Sequence, residues 1–254
     1  MAEGSVLGVI PARYASRRFP GKAIAPICGK PMIQHVYERA LKASMLSSVI
    51  VATDDLRIKQ VVEGFGGRAV MSSPDCPTGT DRVAEVALSV NSAYFVNIQG
   101  DEPLIDPSVI DCCARMLLQG CQMCTLATPI ETRSELFNQN IVKVVIDENH
   151  DALYFSRHAI PFPRYYLDRG IDVDLANRQY LKHIGIYGYT RTVLERLRQA
   201  GQCDLERIEC LEQLRALHLG IKIRVGIVEA DSIPVDVPAD VERVERLMEV
   251  RERR

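Results

Sequence analysis

The sequence predicts an α/β fold: a mostly parallel open sheet with helices on both faces and an inserted excursion, in one domain over 1–254. Three observations lead there. Short runs rich in Val and Ile alternate with segments whose apolar residues recur at helical spacing, the signature of βαβ units. Turn signals stand where the runs stop, at Gly66-Gly67 and at Gly100-Asp-Glu-Pro. The chain has no internal repeat, low-complexity tract or Gly/Ser linker, so a single domain is the economical description.

In chain order, the apolar run 6–10 is a first strand stopped by Pro11, and 32–43 carries helical spacing. A strand at 48–52, a helix at 57–64 and a short strand at 69–71 follow. Residues 82–90 read as a helix, 94–98 as a strand, and 107–119 as a helix ended by Gly120. The second half is less regular. Runs 141–146 and 152–155 form two strands about a turn at 147–150. Residues 160–182 hold several prolines and aromatics without a period, and read as an excursion serving as a lid or an oligomer contact. A strand at 184–189, a strongly amphipathic helix over 205–217, a strand at 221–227 and a charged helix at 239–250 complete the chain.

Hydrophobic residues make up 47% and charged residues 25%, the balance of a soluble globular protein. Net charge is −2, which gives no general reason to expect nucleic acid or an anionic membrane as partner. Any anion site must come from local clustering of Lys and Arg. The start, MAEGSVLGVIPAR, reads as a first strand rather than a signal peptide. No run approaches the roughly 18–20 apolar residues of a membrane span, so a cytoplasmic location is expected. The eight cysteines are expected as reduced thiols. Cys121 and Cys124 form a C-x-x-C, but no second pair at zinc spacing completes a tetrahedral site, and burial as small hydrophobes is the reading.

Three segments carry chemistry. The first runs from Ile10 to Lys22 and places Arg13, Arg17, Arg18 and Lys22 in one loop after strand one, where open α/β sheets bind ligands. It matches neither G-x-G-x-x-G nor G-x-x-x-x-G-K-[ST], which weakens a Rossmann oxidoreductase or P-loop reading. Its cations suit phosphate oxygens. The second, 96–103, runs an apolar strand into Gln99, Gly100 and Asp101. A carboxylate there either caps a helix or holds a metal that bridges phosphates. The third, 233–238, sets Asp236 between prolines before a helix, with the same two readings open.

These segments, together with Gly29-Lys-Pro-Met-Ile33, Val51-Ala-Thr-Asp-Asp55, Thr78-Gly-Thr-Asp-Arg82, Ala152-Leu-Tyr-Phe-Ser-Arg157, His183-Ile-Gly-Ile-Tyr-Gly-Tyr189 and Leu211-Glu-Gln-Leu-Arg215, resemble 3-deoxy-manno-octulosonate (Kdo) cytidylyltransferases over nearly the whole chain. The resemblance implies a nucleotide-diphospho-sugar transferase-like sheet and the reaction of CTP with Kdo, an eight-carbon acidic sugar of lipopolysaccharide, to CMP-Kdo and pyrophosphate. It implies nucleotide contacts from Ala12, Arg13, Arg18, Lys22, Thr78, Gly79, Thr80 and Arg82. Asp101 and Asp236 would hold Mg²⁺, with Lys22 joining them in catalysis. Gln99, Arg157, His183, Tyr187, Glu212 and Gln213 would contact the sugar, and Arg157 suits its carboxylate because a guanidinium can bind it bidentately. A homodimer is implied as well. Arg17 stands where the family commonly has Thr, so it is left out of the phosphate contacts. A sialate cytidylyltransferase and a regulatory nucleotide-binding module are the alternatives. The pair Asp101 and Asp236 weighs against the module.

Overall fold

The computed structural model describes residues 4–16, 18–177, 179–230 and 233–252. Its central strands are apolar on both faces because both faces are covered. In β1 (Val6–Ala12), Leu7 and Val9 pack into one core while Val6 and Ile10 pack into the other. The same alternation holds in β4 (Ser48–Thr53), where Ile50 and Ala52 oppose Val49 and Val51. A strand rotates successive side chains to opposite faces, so a two-sided burial demands an uninterrupted apolar run.

A small hairpin, β2 (Pro26–Ile27) with β3 (Lys30–Pro31), leads into helix α1 (Met32–Ala40), which ends three residues before the expected stop. After β4 come α2 (Leu56–Gly64), the short strand β5 (Ala69–Met71) and α3 (Gly79–Ser89). Helix α3 begins earlier than its apolar spacing suggests, because the Thr78 side chain accepts from the Asp81 amide and caps it. Then β6 (Tyr94–Asn97), α4 (Pro107–Leu118), β7 (Met123–Pro129) and α5 (Arg133–Phe137) follow. The second half adds β8 (Lys143–Ile146), β9 (Ala152–Ser156), α6 (Arg164–Leu167), β10 (Leu181–Thr190) and α7 (Arg191–Ala200). It closes with α8 (Asp204–Glu209), α9 (Leu214–His218), β11 (Arg224–Ile227) and α10 (Ala239–Glu252).

The main sheet path runs β11-β7-β10-β6-β1-β4-β5, with β8 and β9 attached beside β10. The pairs of β1 with β4 and β6, of β4 with β5 and of β7 with β11 are parallel. Strand β10 runs antiparallel to β6, β7 and β8. Its reversal brings the start of β10 to the edge where β1 and β6 end, and the site forms there.

Four expectations change. The helix over 205–217 is two short helices, broken where Cys210 takes left-handed backbone angles of φ 53° and ψ 48°. The break turns Ile208 out to 78% exposure and Glu206 inward. The excursion stops at Tyr180, because Leu181 and Lys182 already pair with β7 and β8. Its Val173 and Tyr180 pack with Ile130, Leu136 and Ala159 in a separate small core. Helix α7 was not read from the sequence, although Val193, Leu194 and Leu197 recur at helical spacing behind a capping Thr190. Of the C-x-x-C cysteines only Cys124 is buried, with its Sγ 3.6 Å from that of Cys113, and every cysteine is a free thiol.

Candidate active site

A cleft of about 370 Å³ opens at the ends of β1 and β6. The loop after β1 forms one wall. Gly21 sits at φ 71°, a conformation that disfavours side chains, and a Cβ there would also press on the Tyr14 ring at 3.3 Å. That turn delivers Lys22 into the cleft. Ala12, Arg13, Arg18 and Lys22 line it, facing Thr78 and Gly79 from the start of α3. Arg17 lies outside the described residues. Arg82 borders the cleft with its guanidinium engaged by Asp54 at 2.9 Å and by Ser72. Thr80 is turned into the core: its hydroxyl meets the Tyr189 hydroxyl at 2.8 Å, and its amide donates to Glu212 Oε2 at 3.0 Å. Cys76 lines the cleft as a thiol, its pKa pushed up to about 12 by burial and by the Glu85 carboxylate that accepts its hydrogen bond.

The floor carries the two aspartates. Lys22 Nζ donates to Asp101 Oδ2 at 2.6 Å and to the Val235 carbonyl at 2.9 Å, and stands 3.9 Å from Asp236 Oδ1. Arg18 bonds Asp236 at 2.7 Å. Two carboxylates distant in sequence thus flank one cation-sized position. Neither aspartate serves as a cap: Asp106 caps α4, and Asp240 accepts from the amides of Asp236 and Val237. Gly100 makes this possible, since a Cβ there would lie 2.8 Å from the Pro11 carbonyl. Among the described residues no cluster of three His, Cys, Asp or Glu forms a metal cage.

A second, larger cleft of about 1090 Å³ adjoins the first and shares Arg13, Thr78, Gly79, Gln99 and Asp236 with it. Arg157, His183, Tyr187, Glu212 and Gln213 all line it. Arg157 donates to the carbonyls of Gln139, Glu209 and Cys210. The Thr125 hydroxyl gives its proton to the Ile186 carbonyl at 2.6 Å and so accepts from His183 Nε2 at 2.8 Å, which leaves Nδ1 as the ring acceptor. Burial drives the His183 pKa down to about 3, so the ring is neutral. Tyr187 donates to Gln213 Oε1 at 3.1 Å, and the Gln213 amide nitrogen is buried without a partner among the described residues. Burial also raises the pKa of Glu212. Glu212 and Gln213 reach the cleft from the turn between α8 and α9 rather than from one helix face.

Known proteins match this chain over most of its length. A cytidylyltransferase family model matches residues 7–223. The chain belongs to the cytidylyltransferase family. A 3-deoxy-manno-octulosonate cytidylyltransferase of Thermodesulfovibrio yellowstonii is 48% identical over 249 residues, covering 94% of this chain and 96% of the relative. One from Solibacter usitatus is 50% identical over 244 residues, covering 95% and 94%. A solved CMP:2-keto-3-deoxy-manno-octonic acid synthetase complexed with CTP superposes with a TM-score of 0.88 at 43% identity, covering 97% of this chain and 99% of the other. The inositol-1-phosphate CTP transferase of T. maritima shares the fold at 17% identity and a TM-score of 0.66.

Two buried charged residues beside the clefts had no role in the sequence reading of this cytidylyltransferase. Arg215 is buried and spends all five N–H donors on Asp81, Glu206 and the Leu197 carbonyl. Burial works against its charge, but Glu206 and Asp81 more than offset that and raise its pKa. The triad ties the first turn of α3, beside both clefts, to the broken helix that carries Glu212. Lys143 is wholly buried behind the second cleft. In the sequence Arg215 closes the Leu211–Arg215 motif and Lys143 stands inside an apolar stretch, and neither position marks its partners.

Proposed function

We propose that this chain transfers the cytidylyl group of CTP to the anomeric hydroxyl of Kdo, giving CMP-Kdo and pyrophosphate for lipopolysaccharide synthesis. The observation that carries the reading is the pair of adjoining clefts that share Arg13, Thr78, Gly79, Gln99 and Asp236. One is rimmed by cations for a triphosphate, and the other is lined by hydrogen-bonding groups for a polyol. The relatives' names supply the two substrates.

The first cleft orients CTP through Arg13, Arg18 and Lys22, whose charges offset the repulsion between two anionic substrates. The second orients Kdo, with Arg157 toward its carboxylate and Gln99, His183, Tyr187, Glu212 and Gln213 toward its hydroxyls. The anomeric oxygen then bonds to the α-phosphorus as the bond to pyrophosphate breaks, without a covalent enzyme intermediate.

Asp101 and Asp236 fit Mg²⁺: they are hard oxygen donors already gathered around one ammonium. When bound, the ion would supply charge neutralisation on the phosphates and acidify the attacking hydroxyl. Lys22 bridges the two carboxylates and is placed to turn to the phosphates when nucleotide enters.

A cytoplasmic homodimer that binds neither nucleic acid nor membrane completes the reading. No helix among the described residues is long and apolar enough to cross a membrane. Phe162 and Tyr165 in the excursion are 67% and 61% exposed, which suits a dimer contact and is checked by the molar mass in solution measured with light scattering. The deciding experiment mixes CTP, Mg²⁺ and Kdo and follows pyrophosphate, with sialic acid as the competing sugar. Release with Kdo alone is expected; release only with sialic acid, or with neither, refutes the proposal.

A further inference from the structure

Lys143 opens β8 with its side chain fully buried, and its three N–H donors go to three carbonyls. These belong to Asn138 at 2.9 Å, Ile141 at 2.5 Å and Arg157 at 2.6 Å. They come from two separate segments that both line the second cleft. The Arg157 guanidinium rests on the same turn, through the Gln139 carbonyl at 3.2 Å. Lys143 thus ties the backbone of Arg157 to the turn on which the Arg157 side chain lies.

Packing alone does not ask for an ammonium here, since burying a charge is costly and an apolar side chain would fill the space. The neighbouring charges show what the ammonium adds. Facing Lys143 are Arg157 and Glu209, and across the sheet its register partner Lys182, which pairs with Glu135 of α5 at 2.6 Å. The Glu209 carboxylate accepts from the Ser156 hydroxyl and the Arg157 amide. Beside Arg157 and Lys182, the ammonium thus places a third positive charge next to the carboxylates of Glu209 and Glu135.

We propose that Lys143 is a positioning residue for the acidic sugar, holding Arg157 and the 138–141 turn so that the Arg157 guanidinium faces the sugar carboxylate. This rests on the Kdo reading above. Lys143 does not touch the substrate; it acts through Arg157. Burial first, then Arg157, lowers the Lys143 pKa to about 8, with Glu209 opposing. The Lys143 ammonium is charged below that pH and neutral above it.

The test is steady-state kinetics with CTP and Kdo for the wild type, Lys143→Gln and Lys143→Met, from about pH 7 to 9.5, across the titration of a depressed lysine. Gln keeps an amide donor but no charge. Both variants are expected to raise the Kdo KM about tenfold at pH 7 while the CTP KM stays within about twofold, the effect of an Arg157 no longer held to make its charged contact to the carboxylate. The wild-type Kdo KM alone should climb through pH 8, and the variants should lack that climb. Folded variants with a wild-type Kdo KM, or with both KM values raised alike, overturn the proposal. If neither variant folds, the wild-type profile decides: a Kdo KM that stays flat through pH 8 overturns it. Absence of any wild-type turnover instead refutes the Kdo reading, and this inference falls with it.

Discussion

Replacing Arg215 by Met removes the guanidinium from the centre of a buried triad. Its side chain is 2% exposed, that of Glu206 3% and that of Asp81 12%. Four charge-assisted bonds disappear: two to Asp81 at 2.6 and 3.1 Å and two to Glu206 at 2.8 and 2.7 Å. Asp81 keeps the Thr78 hydroxyl, whereas Glu206 keeps only Gln202 at 3.4 Å. Breaking a buried pair by removing one partner costs about 3–5 kcal/mol, because the other charge stays buried without compensation. At roughly 2–4 °C per kcal/mol for a chain of this size, the melting temperature should fall by about 6–20 °C. Urea unfolding followed by circular dichroism measures the loss directly. The variant Arg215→Met/Asp81→Asn/Glu206→Gln should recover most of it, since no charge remains buried. A single variant that loses less than about 1 kcal/mol, or a triple variant no more stable than the single, refutes the reasoning. Because Asp81 lies in the α3 turn bordering both clefts, the single variant should raise the KM of both substrates, unlike the Lys143 variants.

Asp101→Asn should nearly abolish turnover at every Mg²⁺ concentration while leaving the melt unchanged, because its carboxylate faces the cleft at 28% exposure; wild-type turnover refutes its role. Gly100→Ala should lower turnover and cost about 1–3 kcal/mol of stability, because its Cβ must push on the Pro11 carbonyl beside Asp101; an unchanged melt and rate would count against that contact. His183 stays neutral in the fold down to about pH 3, whereas the unfolded chain protonates it below about 6.5. The fold therefore binds fewer protons between those values and loses stability as pH falls, by about 2 kcal/mol at pH 5 from this group. His183→Gln should flatten that part of the acid denaturation curve, and identical slopes would refute it.

Reading the chain in one dimension worked where local chemistry carried the information. The central strands were legible because burial on both faces leaves an unbroken apolar run, as at β1 and β4. Most of the site was legible because its residues follow those strands directly: Arg13 and Lys22 after β1, Gln99 and Asp101 after β6. The motif around His183 and Tyr187 fell on β10, which the antiparallel reversal brings to the same edge.

Residue type and spacing thus determined the α/β class and the three chemistry-bearing segments, and the resemblance of the motifs pointed to the family. Tertiary structure decided the rest. Asp101 and Asp236 converge on Lys22, whose bond to Asp101 spans 79 positions of the chain, and that meeting sets both carboxylates in the cleft rather than at a helix cap. The amphipathic run at 205–217 fits one helix locally, but Arg215 binds Asp81, 134 positions away, and Glu206 across the turn at Cys210. Periodicity records which face of a segment avoids water. It does not record which buried charges find each other across the fold, and here those pairings set where the cleft-lining side chains point.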